Sequence, residues 1–243
     1  MPNLSNDFRC HLYSINQEIK EIKHELRAFD KFISEVEEIE PRINSPPEQI
    51  IQPTNYDSNK SENKIAQAYK NTIIELEHYD REYGNHWKID VKEEFGSDLA
   101  SYIINLNHVT PNLKNMAINA AIDSREQRFI TLSIFKKEKN LLRDYRSRLQ
   151  TIESNIGLAS DERRWNHLVN QVDSPDEVLE KCEDIIEQRQ FEIRQHNKST
   201  KDLNNGEIES YLYSNCESTY PVLNAAIKCI KYIKNTSNDE AAT

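Results

Sequence analysis

The feature that most limits this chain lies at its start, where Phe8, Leu12, Ile15, Ile19, Ile22, Leu26, Phe29, Ile33 and Val36 recur at alternating intervals of four and three residues. That period belongs to a helix buried along one seam, because the side chains of a strand alternate with a period of two. With Leu12, Ile19, Leu26 and Ile33 at heptad position a, the d positions hold Ile15, Ile22, Phe29 and Val36. Such a mixture selects neither a dimer nor a trimer. In a parallel homodimer Glu18 would meet Lys23 favourably while Glu25 would meet Asp30 with like charge, so the flanking charges do not favour self-pairing. The seam can close within the chain or against a partner.

The rest of the sequence reads as more helix. Pro41, Pro46, Pro47 and Pro53 break the first helix (residues 1–40) across a polar linker over residues 41–60. A central domain then spans residues 61–157. Ile65, Tyr69, Thr72, Ile73, Leu76, Tyr79 and Tyr83 keep helical spacing up to Gly84, which predicts a second helix ending there. Two short helices follow, around Asn85–Phe95 and from Ser97 onward, separated by Gly96. Thr110 before Pro111 supplies a cap and a first-turn proline for the longest helix, residues 111–156, with no breaker before Gly157. In the C-terminal segment (residues 158–235), Ser160 opens a short helix bearing Trp165. Ser174, Pro175 and Glu177 then form a capping box for a helix to about Asn197, and Ile208–Cys216 and Pro221–Lys234 carry the last two. Residues 236–243 read as a frayed tail.

Composition narrows the function classes. Only 4 residues are Gly, and neither GxGxxG nor GxxxxGK[ST] occurs, so the usual phosphate-cradling loops are absent. The net charge of −10 is a poor match for phosphate backbones, which demand lysines and arginines that displace counterions. One stretch runs the other way: Arg125 to Arg148 holds eight basic residues against three acidic ones, while Glu18 to Glu40 holds eight acidic against four basic. The two stretches are expected to face each other, with the first helix antiparallel to the long one. Cys10, Cys182, Cys216 and Cys229 form no CxxC and read as reduced thiols at the edge of the core. No segment reaches the roughly 20 apolar residues of a membrane span, and MPNLSNDFRC lacks a signal-peptide core, which places the chain in the cytoplasm.

Two ExxH pairs, Glu21 with His24 and Glu75 with His78, have the spacing used by carboxylate-bridged metal bundles. Both fall outside the apolar stripes of their helices, so neither a metal nor any other cofactor is expected, and no catalytic residue is assigned. The densest group of titratable side chains is HYDREYG, where His78, Tyr79, Glu82 and Tyr83 could line a small ligand pocket. Packing is the stronger reading for its tyrosines, with rings buried and hydroxyls wet.

Five pieces, AQAYKNTIIELEHYDREYG (66–84), EEFGSDLA (93–100), TPNLKNMAINAA (110–121), EKCEDIIEQRQ (180–190) and YLYSNCESTYPVLNA (211–225), resemble in the same order a family of uncharacterised haloarchaeal helical proteins, a domain of unknown function. The resemblance implies a salt-adapted cytosolic helical protein and carries no catalytic residues across. It marks Tyr79, Glu82, Tyr83, Gly84, Tyr220 and Pro221 as positions to watch.

The expected architecture is an all-α, elongated helical bundle with the N-terminal heptad helix antiparallel on the long central one. The expected function is a non-catalytic scaffold, adaptor or regulatory interaction protein that pairs with a protein partner or itself, not an enzyme. Two alternatives stand beside it: a small-ligand sensor or enzyme with a pocket near His78, Glu82 and Tyr83, and anion or nucleic-acid binding through residues 125–148.

Overall fold

The computed structural model describes residues 8–42, 63–79, 86–159, 174–199 and 208–241. Among them run eight α-helices and no strand: α1 (Arg9–Glu37), α2 (Lys64–Tyr69), α3 (Trp87–Phe95), α4 (Ser97–Asn105), α5 (Pro111–Ala159), α6 (Pro175–Ser199), α7 (Ile208–Leu212) and α8 (Pro221–Ala241). The architecture is an all-α bundle in which α5 packs against α1. Two compact units divide it, a continuous one of Ile19–Ile134 and a discontinuous one that joins Met1–Glu18 to Phe135–Thr243.

In the continuous unit, polar contacts fix the direction of the α1–α5 pair. Lys114 Nζ donates to the carbonyls of Glu37 and Ile39 at 2.6 and 3.0 Å, Arg125 Nε lies 3.1 Å from Asp30 Oδ1, and Arg128 Nε lies 2.6 Å from Glu25 Oε2. Residue numbers fall along α1 as they rise along α5, so the pair is antiparallel. Lys114 also satisfies carbonyls that a helix C-terminus leaves without intrahelical partners. The register differs from the expected pairing of whole acidic run with whole basic run. The acidic side chains Glu25 and Asp30 meet only the first arginines of the stretch, while Arg148 bonds Gln188 on α6 at 2.9 Å.

The core of this unit gathers Phe29, Phe32 and Val36 from α1, Ile65 and Tyr69 from α2, and Ala100 and Ile103 from α4. Rings of Phe32, Tyr69 and Phe95 meet at centroid distances of 5.4–5.8 Å. Each fully buried aromatic of this kind contributes about 1.5–3 kcal/mol. Ala117 and Ala121 on α5, both fully buried, let the helices approach closely.

Helix α1 uses a face rotated from the a/d seam. Ile15, Ile19, Ile22, Phe29 and Val36 are buried, but Leu12, Leu26 and Ile33 are only half-buried. His11, Glu25, Phe32 and Ile39, all at position g, complete the buried stripe. Position g is a polar flank in a two-stranded coil; here neighbours cover it because more than one helix packs on α1.

The second helix stops well before Gly84. Regular α-helix ends at Tyr69, residues Lys70–Ile74 form a π-helical turn, and Glu75 leaves helical geometry at φ −74°, ψ 1°. Three consecutive β-branched residues, Thr72, Ile73 and Ile74, sit in that turn, where stiff side chains disfavour regular helix. Glu82, Tyr83 and Gly84 lie outside the described residues, as do the linker beyond Arg42 and the short helix expected at Ser160–Val172.

Gly96 ends α3 and opens α4 with φ 81° and ψ 155°, a conformation open essentially to glycine alone. The Thr110 hydroxyl accepts from the Leu113 amide at 3.2 Å, as its capping position predicts, and α5 continues through Gly157 to Ala159.

In the discontinuous unit, the second half of α5 buries Phe135, Glu138, Leu142, Tyr145, Leu149, Ile152 and Ile156, an unbroken heptad series. Helices α6 and α8 pack together. The capping box forms: the Ser174 amide donates to Glu177 Oε2 at 2.7 Å and the Glu177 amide to Ser174 Oγ at 3.3 Å. Helix α7 ends at Leu212 rather than Cys216, because the Cys216 amide turns back to the Tyr213 carbonyl at 2.9 Å. Helix α8 runs on past Lys234 to Ala241.

The cysteines correct the reading as four reduced thiols. Cys10 and Cys216 form a disulfide with Cα atoms 5.9 Å apart, across a sequence separation of 206. Cys182 and Cys229 are free and buried. Separation in sequence hid the pairing, which depends on the first turn of α1 lying beside the α7–α8 connection.

Candidate functional site

Each unit sets an arginine among carboxylates, half-buried Arg128 in the continuous unit and fully buried Arg189 in the discontinuous one. In the continuous unit Arg128 sits on α5 one turn after Ser124, on the stripe that faces the core. Its two terminal nitrogens donate to Glu94 Oε1 and Oε2, both at 2.8 Å, and its Nε donates to Glu25 Oε2 at 2.6 Å. The guanidinium also stacks over Phe29, 4.5 Å from the ring centroid. A planar fork suits such a bidentate clamp, which a lysine could not form.

Glu25 serves two partners. Its second oxygen lies 3.1 Å from His78 Nε2, and that histidine is 4% exposed. Helical spacing places His78 off the apolar stripe; the break at residues 70–74 re-aims it into the interior. Tyr79 is buried as well, with no wet hydroxyl. Nearby, the Tyr69 hydroxyl donates to Asp90 Oδ2. Burial pushes the Asp90 carboxyl above the usual carboxylate range and Glu94 adds repulsion, while the Tyr69 and Tyr79 hydroxyls and Arg128 offset part of the shift. Burial, then Asp90, raises the Tyr69 hydroxyl above its ordinary value.

In the discontinuous unit the clamp is deeper. Arg189 on α6 meets Glu138 of α5 through both terminal nitrogens, at 3.0 and 2.6 Å, and Glu209 of α7 at 3.3 Å. The Tyr213 hydroxyl donates to Glu138 Oε1 at 2.9 Å and the Tyr145 hydroxyl to Glu192 Oε2 at 3.0 Å. Burial works against the Arg189 cation, but Glu138 and Glu209 outweigh it and hold its pKa above the ordinary value. Both tyrosine hydroxyls are pushed up, by burial first and then by their carboxylate partners.

Of the residues singled out for a ligand pocket, His78 and Tyr79 fall in the first cluster. Sequence reasoning missed Glu25, Glu94, Arg128, Glu138, Arg189 and Glu209. A signal existed: Arg128 lies four residues before Leu132, Glu138 four before Leu142 and Arg189 four before Ile193, each a charge standing in an apolar register. A charge at such a position is buried and must be paired. No group of three or more His, Cys, Asp or Glu side chains converges as metal ligands among the described residues. No helix among them is long and apolar enough to cross a membrane.

These helices and clusters span residues that match, from 9 to 237, the model of a family described as a domain of unknown function, DUF7260. The chain belongs to that family. Comparison with curated proteins and with solved structures finds no match. The DUF7260 match spans nearly the whole chain, and both arginine clusters lie inside the matched range.

Proposed function

We propose that this DUF7260 member is a non-catalytic helical interaction protein, a scaffold, adaptor or regulator of the cytoplasm. One observation carries the reading. A single chain already buries five residues of its heptad seam, Ile15, Ile19, Ile22, Phe29 and Val36, yet leaves Phe129 at 65% and Ile130 at 45% exposed in succession on α5. The seam therefore serves folding, and recognition falls to residues that the fold leaves uncovered. Adjacent exposed apolar side chains on a long helix suit a helical partner or a second copy. The clamped arginines Arg128 and Arg189 support the same reading, since their carboxylate partners tie helices together. The kinship with haloarchaeal proteins remains part of this proposal and rests on the five ordered pieces of sequence that resemble theirs.

Light scattering of the purified full chain, together with mass spectrometry of what co-purifies at native salt, tests it. An oligomer or a stoichiometric companion that Phe129→Glu with Ile130→Glu abolishes, with thermal stability intact, is the expected result. A lone monomer that captures nothing sinks the reading.

A further inference from the structure

Among the features that a packing account leaves over, the Cys10–Cys216 bond has the most specific surroundings. It joins the two chain pieces of the discontinuous unit, Met1–Glu18 and Phe135–Thr243, the first of which carries the opening turns of α1. These turns continue into the rest of α1, but as the end of a helix they fray unless something fastens them. Phe8, His11 and Ile15 bury themselves in the unit, His11 Nε2 donates to the Ser218 carbonyl at 2.6 Å, and the Tyr211 hydroxyl donates to Glu18 at 2.9 Å. The disulfide is the covalent cross-link that ties the pieces directly, apart from the backbone that runs between them through residues 19–134.

The bond is also reachable. Cys10 is exposed and Cys216 half-buried. Both border a cleft of about 240 Å³ lined with His11, Asn215, Glu217 and Ser218. Cys182 and Cys229, by contrast, are fully buried. Ser14 Oγ lies 3.8 Å from Cys216 Sγ, and since a disulfide sulfur has no proton, the hydroxyl is the donor.

We propose that this cleft is a thiol–disulfide exchange site, and that a dithiol reductant entering it opens the Cys10–Cys216 clasp and frees the first turns of α1. A thiolate of the dithiol attacks the exposed Cys10 Sγ, forming a mixed disulfide and breaking the bond to Cys216. The electron pair leaves on Cys216 Sγ, where the Ser14 hydroxyl stabilises the thiolate until it takes a proton. The second thiol of the reductant then attacks its own sulfur in the mixed disulfide and releases Cys10 as a thiol. Two electrons and two protons pass to the protein, and the dithiol leaves as an internal disulfide. Exchange of this kind depends on access to the attacked sulfur and on the stability of the leaving thiolate, which the cleft and Ser14 supply. In a reducing cytosol such an accessible disulfide is a redox-responsive element rather than a permanent staple.

The test uses the full chain, dithiothreitol as the dithiol, and alkylation read by mass spectrometry without denaturant. Cys10 and Cys216 should resist alkylation before reduction and label afterwards, while Cys182 and Cys229 stay protected throughout. Amide exchange over residues 9–18 should accelerate by roughly tenfold or more on reduction while α6 keeps its protection. Cys10→Ser should show the fast exchange with no reductant, and Ser14→Ala should slow reduction. Labelling of Cys10 in the unreduced protein overturns the proposal. So does a bond that yields only when α6 and α8 lose protection, exchange over 9–18 that is equal in both states, or a Ser14→Ala chain reduced at the original rate. None of these outcomes depends on whether the protein has a macromolecular partner.

Discussion

Arg189 and Glu138 face each other through two parallel hydrogen bonds of 3.0 and 2.6 Å, with the arginine 2% exposed and the glutamate 0%. Three helices meet at this point, because Glu209 on α7 approaches the same guanidinium. Desolvating such a pair offsets much of its Coulomb attraction, so its net contribution to stability is modest. Its removal by halves is another matter.

Arg189→Met leaves Glu138 and Glu209 buried together without their cation. Urea unfolding should show a loss of about 3–5 kcal/mol, and the paired change Arg189→Met with Glu138→Leu should recover a large part of it. A single variant as stable as the parent would mean that water reaches the cluster.

Asp90 gives stability a pH dependence whose sign is fixed. Its folded pKa lies above the ordinary 3.8, so the native state holds this proton more tightly than the unfolded chain does. The contribution is fully present below that value and is lost as pH rises through the folded pKa. Denaturant unfolding of Asp90→Asn across the acid range should therefore show stability gained relative to the parent as pH climbs out of that window. Parallel curves for the two proteins would remove Asp90 from the account.

Tyr213 acts at the other end of the scale. Its hydroxyl is raised above 10.0 in the folded state, so stability is complete below pH 10 and declines as the unfolded chain alone begins to lose the proton. Tyr213→Phe should flatten the alkaline decline and cost about 1–3 kcal/mol at neutral pH, since Glu138 loses a buried donor. Circular dichroism melts across the alkaline range would reveal both effects.

Gly96 tests the backbone rather than a contact. A Cβ built there meets nothing within 4 Å, so sterics between side chains do not forbid alanine. The conformation does, and Gly96→Ala should cost about 1–3 kcal/mol in denaturant unfolding. An unchanged midpoint would show that the α3–α4 corner relaxes freely.

Much of the helical layout is legible in the sequence because its causes are local. Thr110 and Pro111, or Ser174, Pro175 and Glu177, act within one turn of themselves, and the structure shows the capping bonds that their order predicts. The apolar spacing of α1 likewise required a helix. Position g was harder to read, since Glu25 and His11 look like solvent-facing residues until a second neighbour covers them. The candidate site was legible only as the crowd of titratable groups around His78 and Tyr79. Their partners Glu25, Glu94, Arg128 and Asp90 come from three other helices, and nothing in HYDREYG names them.

The sequence by itself determined that the chain is helical, where most of its helices begin, and that its composition suits no phosphate-cradling loop. Helix period and capping are nearest-neighbour effects, written in residues three and four apart. Only the tertiary structure decided which charges are buried, that α2 breaks at Lys70 and turns His78 inward, and that Cys10 meets Cys216. Those outcomes depend on which helices share a core. Residues 206 positions apart acquire a relationship only when packing has set the register between them.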